Sequence, residues 1–164
     1  RPGLQIRPLV FGGNQESGLR SGTEAMPQIA AFAAATEARM ANFKEHTAKM
    51  AALRDKLMEK ARELGCQINT PANCAPHIVN LSPCVGRSEV YIRVLSDQGI
   101  YVSGGSACSR GKKSHVLTAM NQSPAVMESA IRISLCPENT REEILYTAER
   151  IAHQVEMLRR YVRR

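Results

Sequence analysis

Apolar positions recur at helical steps over two long stretches and alternate at strand spacing over a short one. Residues 24–64 are alanine-rich, and Met50, Leu53, Leu57, Ala61 and Leu64 fall three or four apart until Gly65 ends the pattern. A helix of that length in a compact domain is expected to bend or break. Its first half lacks a sustained heptad of large residues, which argues against a coiled coil. Thr23 is placed as its N-cap, with Glu24 in the first turn and Pro27 tolerated there. Near the other end, Thr140-Arg141-Glu142-Glu143 has the spacing of a capping box. The helix it opens carries a stripe of Ile144, Ala148, Ile151, Val155, Leu158 and Val162. Over residues 130–135, Ile131, Ile133 and Leu135 face one way and turn Arg132 and Ser134 to the other, as in a half-buried strand.

Between these elements the pattern predicts shorter ones. Residues 66–69 and 78–81 read as strands, separated by Pro71 and Pro76. Residues 87–98 read as a helix with Val90, Tyr91, Val94 and Leu95 on one face, closed by Gly99. Residues 100–102 read as a strand and 114–120 as a short helix, while Ser123-Pro124 sets a cap before a proline at the first helical position. Residues 1–23 form an extended lead-in whose glycines, Gly12, Gly13, Gly18 and Gly22, leave little room for a helix. The expected fold is α+β: a small sheet covered by helices, with a long bent helix leading in. Three regions follow: 1–23 as a lead-in, 24–64 as a linking helix and 65–164 as a C-terminal domain. Arg1-Pro2-Gly3 has no initiator Met and runs straight into apolar residues, as if cut from a longer chain.

Composition narrows the functional classes. With 164 residues, 43% apolar and 23% charged, the chain can build one ordinary core. No segment has the length and apolarity of a membrane span or the makeup of a secretory signal, so no membrane partner is expected. The net charge of +7 is concentrated partly in Arg159, Arg160, Arg163 and Arg164. Cations suit a helix C-terminus, and three Phe, four Tyr and no Trp make a poor stacking platform for single strands. Nucleic acid is therefore not the expected partner. Five cysteines without a C-x-x-C pair argue against a disulfide framework and a compact zinc site, and fit a reducing compartment. Cys66 and Cys136 sit among apolar neighbours and are expected inside.

The segment Ser103-Gly104-Gly105-Ser106-Ala107-Cys108-Ser109-Arg110-Gly111-Lys112-Lys113 holds the chemistry. Three cations follow the cysteine, and positive charge favours the thiolate, its nucleophilic form. An ordinary loop thiol among solvated cations is the other reading of these residues. Ser-Gly-Gly-Ser-Ala-Cys-Ser resembles the active-site loop of the NifS/IscS-like cysteine desulfurases, a class V aminotransferase family of fold type I. Residues 12–23, Gly-Gly-Asn-Gln-Glu-Ser-Gly-Leu-Arg-Ser-Gly-Thr, are similar to that family's G-G-x-Q-E-x-G-x-R-S-G-T segment. His77-Ile78-Val79-Asn80-Leu81-Ser82 resembles its first small-domain strand. Ile131-Arg132-Ile133-Ser134-Leu135 and Asn139-Thr140-Arg141-Glu142-Glu143-Ile144 resemble its ending.

The resemblance covers nearly all of this chain but only the later portion of a family member, and it carries roles with it. It implies that Cys108 takes sulfur from cysteine as a persulfide, with alanine as product. It also implies that Arg132 holds the substrate carboxylate and that Thr23 contacts the phosphate of the neighbouring subunit's pyridoxal phosphate in a homodimer. Sulfur would pass to an acceptor protein such as an iron–sulfur scaffold, in the cytoplasm. The family's Schiff-base lysine follows a histidine in a Ser/Thr-x-His-Lys context, and no lysine here does. The chain alone is thus expected to bind no cofactor covalently and to be inactive. A free-standing persulfide carrier and an unrelated basic binding domain are the competing readings.

Overall fold

The computed structural model describes residues 3–104 and 114–162. The chain divides into two compact units, Arg1–Phe43 and Lys44–Arg164.

In the first unit the glycine-rich stretch folds on itself. A single 3-10 turn at Gln15–Gly18 holds Glu16 and Ser17 at φ of 53° and 57°, in the left-handed region. The Gln15 side chain stabilises it by accepting from the Gly22 amide at 3.2 Å, and the Ser21 hydroxyl donates to the Gly13 carbonyl at 2.6 Å. Helix α1 then spans Met26–Ala41. Thr23 is not its N-cap: that position falls to Ala25, with no side-chain cap. Pro27 explains the correction. Starting from Thr23, the first helical hydrogen bond would need the amide of residue 27, which proline lacks, so the helix begins later with Pro27 in its first turn.

Helix α2 spans Phe43–Glu63, and between it and α1 Asn42 leaves helical geometry at φ −120° and ψ 21°. The second unit continues with β1 (Gln67–Ile68), β2 (Ile78–Ser82) and α3 (Ser88–Ser96). After these come α4 (His115–Ala119), α5 (Pro124–Ser129), β3 (Ile131–Ser134) and α6 (Arg141–Val162). The strands form an antiparallel sheet in the order β1-β2-β3, giving an α+β architecture.

Local signals explain where the helices stop and start. Gly65 at φ +74° ends α2: its amide donates to the Arg62 carbonyl and the Cys66 amide to that of Ala61. Gly99 closes the α3 segment in the same manner. The Ser114 and Ser123 side chains cap α4 and α5. At α6 the capping box is complete. Thr140 Oγ1 accepts from the Glu143 amide at 3.2 Å, and the Glu143 carboxylate accepts from the Thr140 amide at 3.0 Å.

The core lies on one face of the sheet. Val79 pairs with Ile133 and Leu81 with Ile131 across β2 and β3, and all four are buried. They join Leu53, Leu57 and Ala61 of α2, Tyr91 and Leu95 of α3, and Ile144, Ala148, Ile151 and Val155 of α6 in one cluster. The inner face of α3 is narrower than expected, since Val90 is exposed.

Two further expectations need correction. Residues 100–102 form no strand, because the Ile100 amide is taken by the Leu95 carbonyl in the turn that closes α3. Only Ser103 reaches the sheet, bridging Arg132 on the far edge of β3. Cys136 is exposed, unlike buried Cys66: it follows the last inward residue, Leu135, and its amide donates to Asn139 Oδ1 at 2.8 Å. Among the described residues no helix is long and apolar enough to cross a membrane.

Candidate functional site

The face of the sheet away from the core carries mostly polar residues beside Ile78, and Arg132 stands on it. Strand alternation turns Ile131 and Ile133 inward, leaving Arg132 exposed. Directly opposite residues of an antiparallel ladder share a face. Asn80 is Arg132's partner on β2. On the other side the Arg132 amide donates to the Ser103 carbonyl at 2.6 Å and the Ser103 amide to the Arg132 carbonyl at 3.0 Å. Because both main-chain groups of Arg132 go to Ser103, Asn80 and Arg132 form the closer, non-hydrogen-bonded kind of pair. Asn69 extends the row beyond Asn80, its amide donating to the Asn80 carbonyl at 2.9 Å.

Asn69, Asn80, Arg132 and Ser103 therefore line up across four chain segments. The Arg132 side chain has no hydrogen-bond partner among the described residues, which leaves a guanidinium open to a planar anion. Asn80 and Ser103 were not singled out by the sequence. The signal for Asn80 was its polar place in an alternating strand; the register that sets it beside Arg132 is not written in that pattern.

Ser103 begins the segment that carries Cys108, so the main chain entering that segment is tied to Arg132. Cys108 itself lies outside the described residues. Gly104, which follows Ser103, sits close to α3: a Cβ there would come within 3.0 Å of Ile92 Cδ1 and 3.3 Å of Ser88 Oγ.

Thr23 belongs to the first unit. Arg20 Nη1 donates to the carbonyls of Gly22 and Thr23 at 3.0 and 3.3 Å, fixing the main chain there. The Thr23 side chain is exposed and has no hydrogen-bond partner among the described residues, a donor available to an anion. No cluster of His, Cys, Asp or Glu suited to a metal ion occurs among the described residues.

The other thiols differ in character. Burial pushes the Cys66 thiol up to about 11, which suits a small apolar core residue and not a nucleophile. Cys74 accepts from Arg54 Nη1 at 3.3 Å, while Cys84 and Cys136 are exposed.

A family model described as aminotransferase class-V matches residues 5–146. A cysteine desulfurase of Nostoc sp. is 34% identical over 164 residues, covering 97% of this chain and 41% of that protein. The cysteine desulfurase IscS of Methanosarcina thermophila is 34% identical over 163 residues, covering 97% of this chain and 40% of that protein. A solved structure of a NifS-like protein superposes with a TM-score of 0.81 at 39% identity, over 96% of this chain and 41% of that one. The chain thus spans about two fifths of the length of the relatives it matches. With a site of this kind on a matching fold, the chain belongs to the aminotransferase class-V family and is similar within it to the NifS- and IscS-type cysteine desulfurases.

Proposed function

We propose that this chain is the C-terminal portion of a pyridoxal-phosphate-dependent cysteine desulfurase in which Cys108 receives the sulfur. The observation that carries the reading is the bridge between Ser103 and Arg132. It ties the start of the Ser-Gly-Gly-Ser-Ala-Cys-Ser segment to an arginine whose guanidinium is open to a carboxylate.

The donors present fit the cofactor and its substrate in part. Thr23 would hold a phosphate oxygen, its hydroxyl being exposed beside a main chain fixed by Arg20. Arg132 would hold the substrate carboxylate. No lysine here follows a histidine, so the covalent anchor belongs to sequence outside this chain. The cofactor, when bound, supplies an electron sink for the carbon from which sulfur departs.

Arg132 orients cysteine by its carboxylate, which fixes where the sulfur lies. The Cys108 thiolate attacks that sulfur, an S–S bond forms as the substrate C–S bond breaks, and the C–S electron pair stays with carbon. That carbon takes up a proton, giving alanine, and one sulfur atom has moved to Cys108 as a persulfide. Lys112 and Lys113, close in sequence, favour the thiolate.

The persulfide then passes to an acceptor protein such as an iron–sulfur scaffold, in the cytoplasm. In the complete protein Thr23 serves the cofactor of a neighbouring subunit. Leu9, Phe11 and Phe32 of the first unit are 94%, 72% and 76% exposed, which fits a surface covered by the rest of a homodimer.

The test uses the full-length, cofactor-loaded protein. Arg132→Ala should leave cofactor content unchanged and weaken cysteine binding, seen in the cofactor's absorption, by about 2–5 kcal/mol when the partner charge stays buried. Cys108→Ser should bind cysteine as the parent does yet release almost no alanine. Equal cysteine binding by Arg132→Ala and the parent would make Arg132 a plain strand residue.

A further inference from the structure

We infer that Asn80 is a second donor to the substrate carboxylate, its side-chain amide turned toward this role by a chain of hydrogen bonds beginning in the core. The inference rests on Arg132 being the carboxylate residue and adds a specificity determinant to that site.

The argument follows the direction of each donor. The Val126 carbonyl can only accept, so the buried Ser82 hydroxyl spends its one proton there, at 2.8 Å. Ser82 Oγ must therefore accept from its other neighbour, and Asn69 Nδ2 donates to it at 2.8 Å. The same Nδ2 faces Asn80 at 2.8 Å, so Asn80 must present its oxygen there. This order holds although it leaves Asn69 Oδ1 buried without a partner. With its oxygen committed, Asn80 has one polar end left, the NH2 group, which has no partner among the described residues.

That amide belongs to the residue directly opposite Arg132, on the same face of the sheet. Cross-strand neighbours of this kind have Cβ atoms roughly 4.5–5.5 Å apart. A carboxylate has two oxygens with about four acceptor sites, more than a single guanidinium edge fills. A forked arginine beside an oriented amide matches that shape, and a substrate without the carboxylate would leave both donors unpaired. Asn69 is nearly fully buried, so the orientation of Asn80 is set before any ligand arrives.

The test is a titration of the full-length, cofactor-loaded protein with L-alanine, which carries the carboxylate, followed by nitrogen NMR at the Asn80 side-chain amide and Arg132 Nε. Both signals should move along one saturation curve with one Kd, and ethylamine, which lacks the carboxylate, should move neither. Asn80→Ala should raise the Kd about tenfold or more, the scale of one lost hydrogen bond to a charged group. Asn80→Asp covers the case in which Asn80→Ala does not fold. It keeps the shape and the bond from Asn69, loses the donor, and should abolish saturation because its own carboxylate faces Arg132. A saturable Arg132 signal with a silent Asn80 amide would overturn the inference. So would parental affinity in either Asn80 variant, or no saturation in the parent. Parental affinity in Arg132→Ala would instead count against the carboxylate assignment itself.

Discussion

Arg132 and Ile133 are neighbours in sequence on opposite faces of β3, so replacing each by Ala separates function from stability on one strand. Ile133 is buried within the main cluster and packs across from Val79. Truncating it removes three carbons at about 0.8 kcal/mol each, and the cavity left behind raises the loss to about 3 kcal/mol. For a unit of this size that corresponds to a fall in melting temperature of roughly 10–15 °C. Arg132 is exposed and its side chain has no hydrogen-bond partner among the described residues, so Arg132→Ala should change stability by no more than about 0.5 kcal/mol. Urea unfolding followed by circular dichroism reads both values, and the slope with denaturant should stay constant if neither variant alters the unfolded ensemble. Carboxylate binding should show the opposite order, lost in Arg132→Ala and kept in folded Ile133→Ala. A destabilisation by Arg132→Ala equal to that by Ile133→Ala would refute the reasoning, because it would mean that the strand is turned over. A one-residue slip in register does this to every side chain at once.

Further outcomes follow from the core and from the capping of α6. Cys66 should be the slowest of the described thiols to alkylate at neutral pH, since burial pushes it up to about 11; peptide mapping of a pH series checks this. Its proton is held more tightly in the folded chain than in the unfolded one. Its stability contribution is therefore full below its ordinary value of 9.0 and is lost as pH rises toward about 11, with the buried Tyr91 phenol acting in the same direction. A thermal-unfolding series in that window should show the decline, and Cys66→Ala should flatten it. Thr140→Ala should cost about 1 kcal/mol by removing the cap of α6, measured in urea. The Glu143 carboxyl is held below its ordinary value, first by the Asn139 side-chain amide and then by the Thr140 amide. Its support of the helix is full above 4.5 and is lost as pH falls through the lowered value, which a carboxyl NMR titration would follow.

Much of the fold was legible because its signals are local. The alternation at 131–135, Gly65 and Gly99, the Ser123 cap and the Thr140–Glu143 box each act within a few residues, and each appears as read. The Thr23 cap failed on one equally local rule, the missing amide of Pro27, which outweighed a favourable capping residue. The 100–102 strand failed because the closure of α3 takes the Ile100 amide first. Cys136 had apolar neighbours in sequence but falls just past the last inward position of its strand. The polar row was the least legible feature. Its members at 69, 80, 103 and 132 are far apart in the chain, and only the sheet register places them side by side. The motif around Cys108 was recognisable as sequence, yet its tie to Arg132 is a long-range main-chain bridge that no spacing reveals.

The central claim is that sulfur from cysteine arrives on Cys108. The direct measurement is mass spectrometry of the full-length, cofactor-loaded protein after one turnover with sulfur-labelled cysteine and alkylation of the product. The account predicts a peptide containing Cys108 that carries one additional labelled sulfur atom, with alanine released in equal amount and no such label on Cys66, Cys74, Cys84 or Cys136. Alanine released with the label on another cysteine, or no alanine and no label at all, would contradict it.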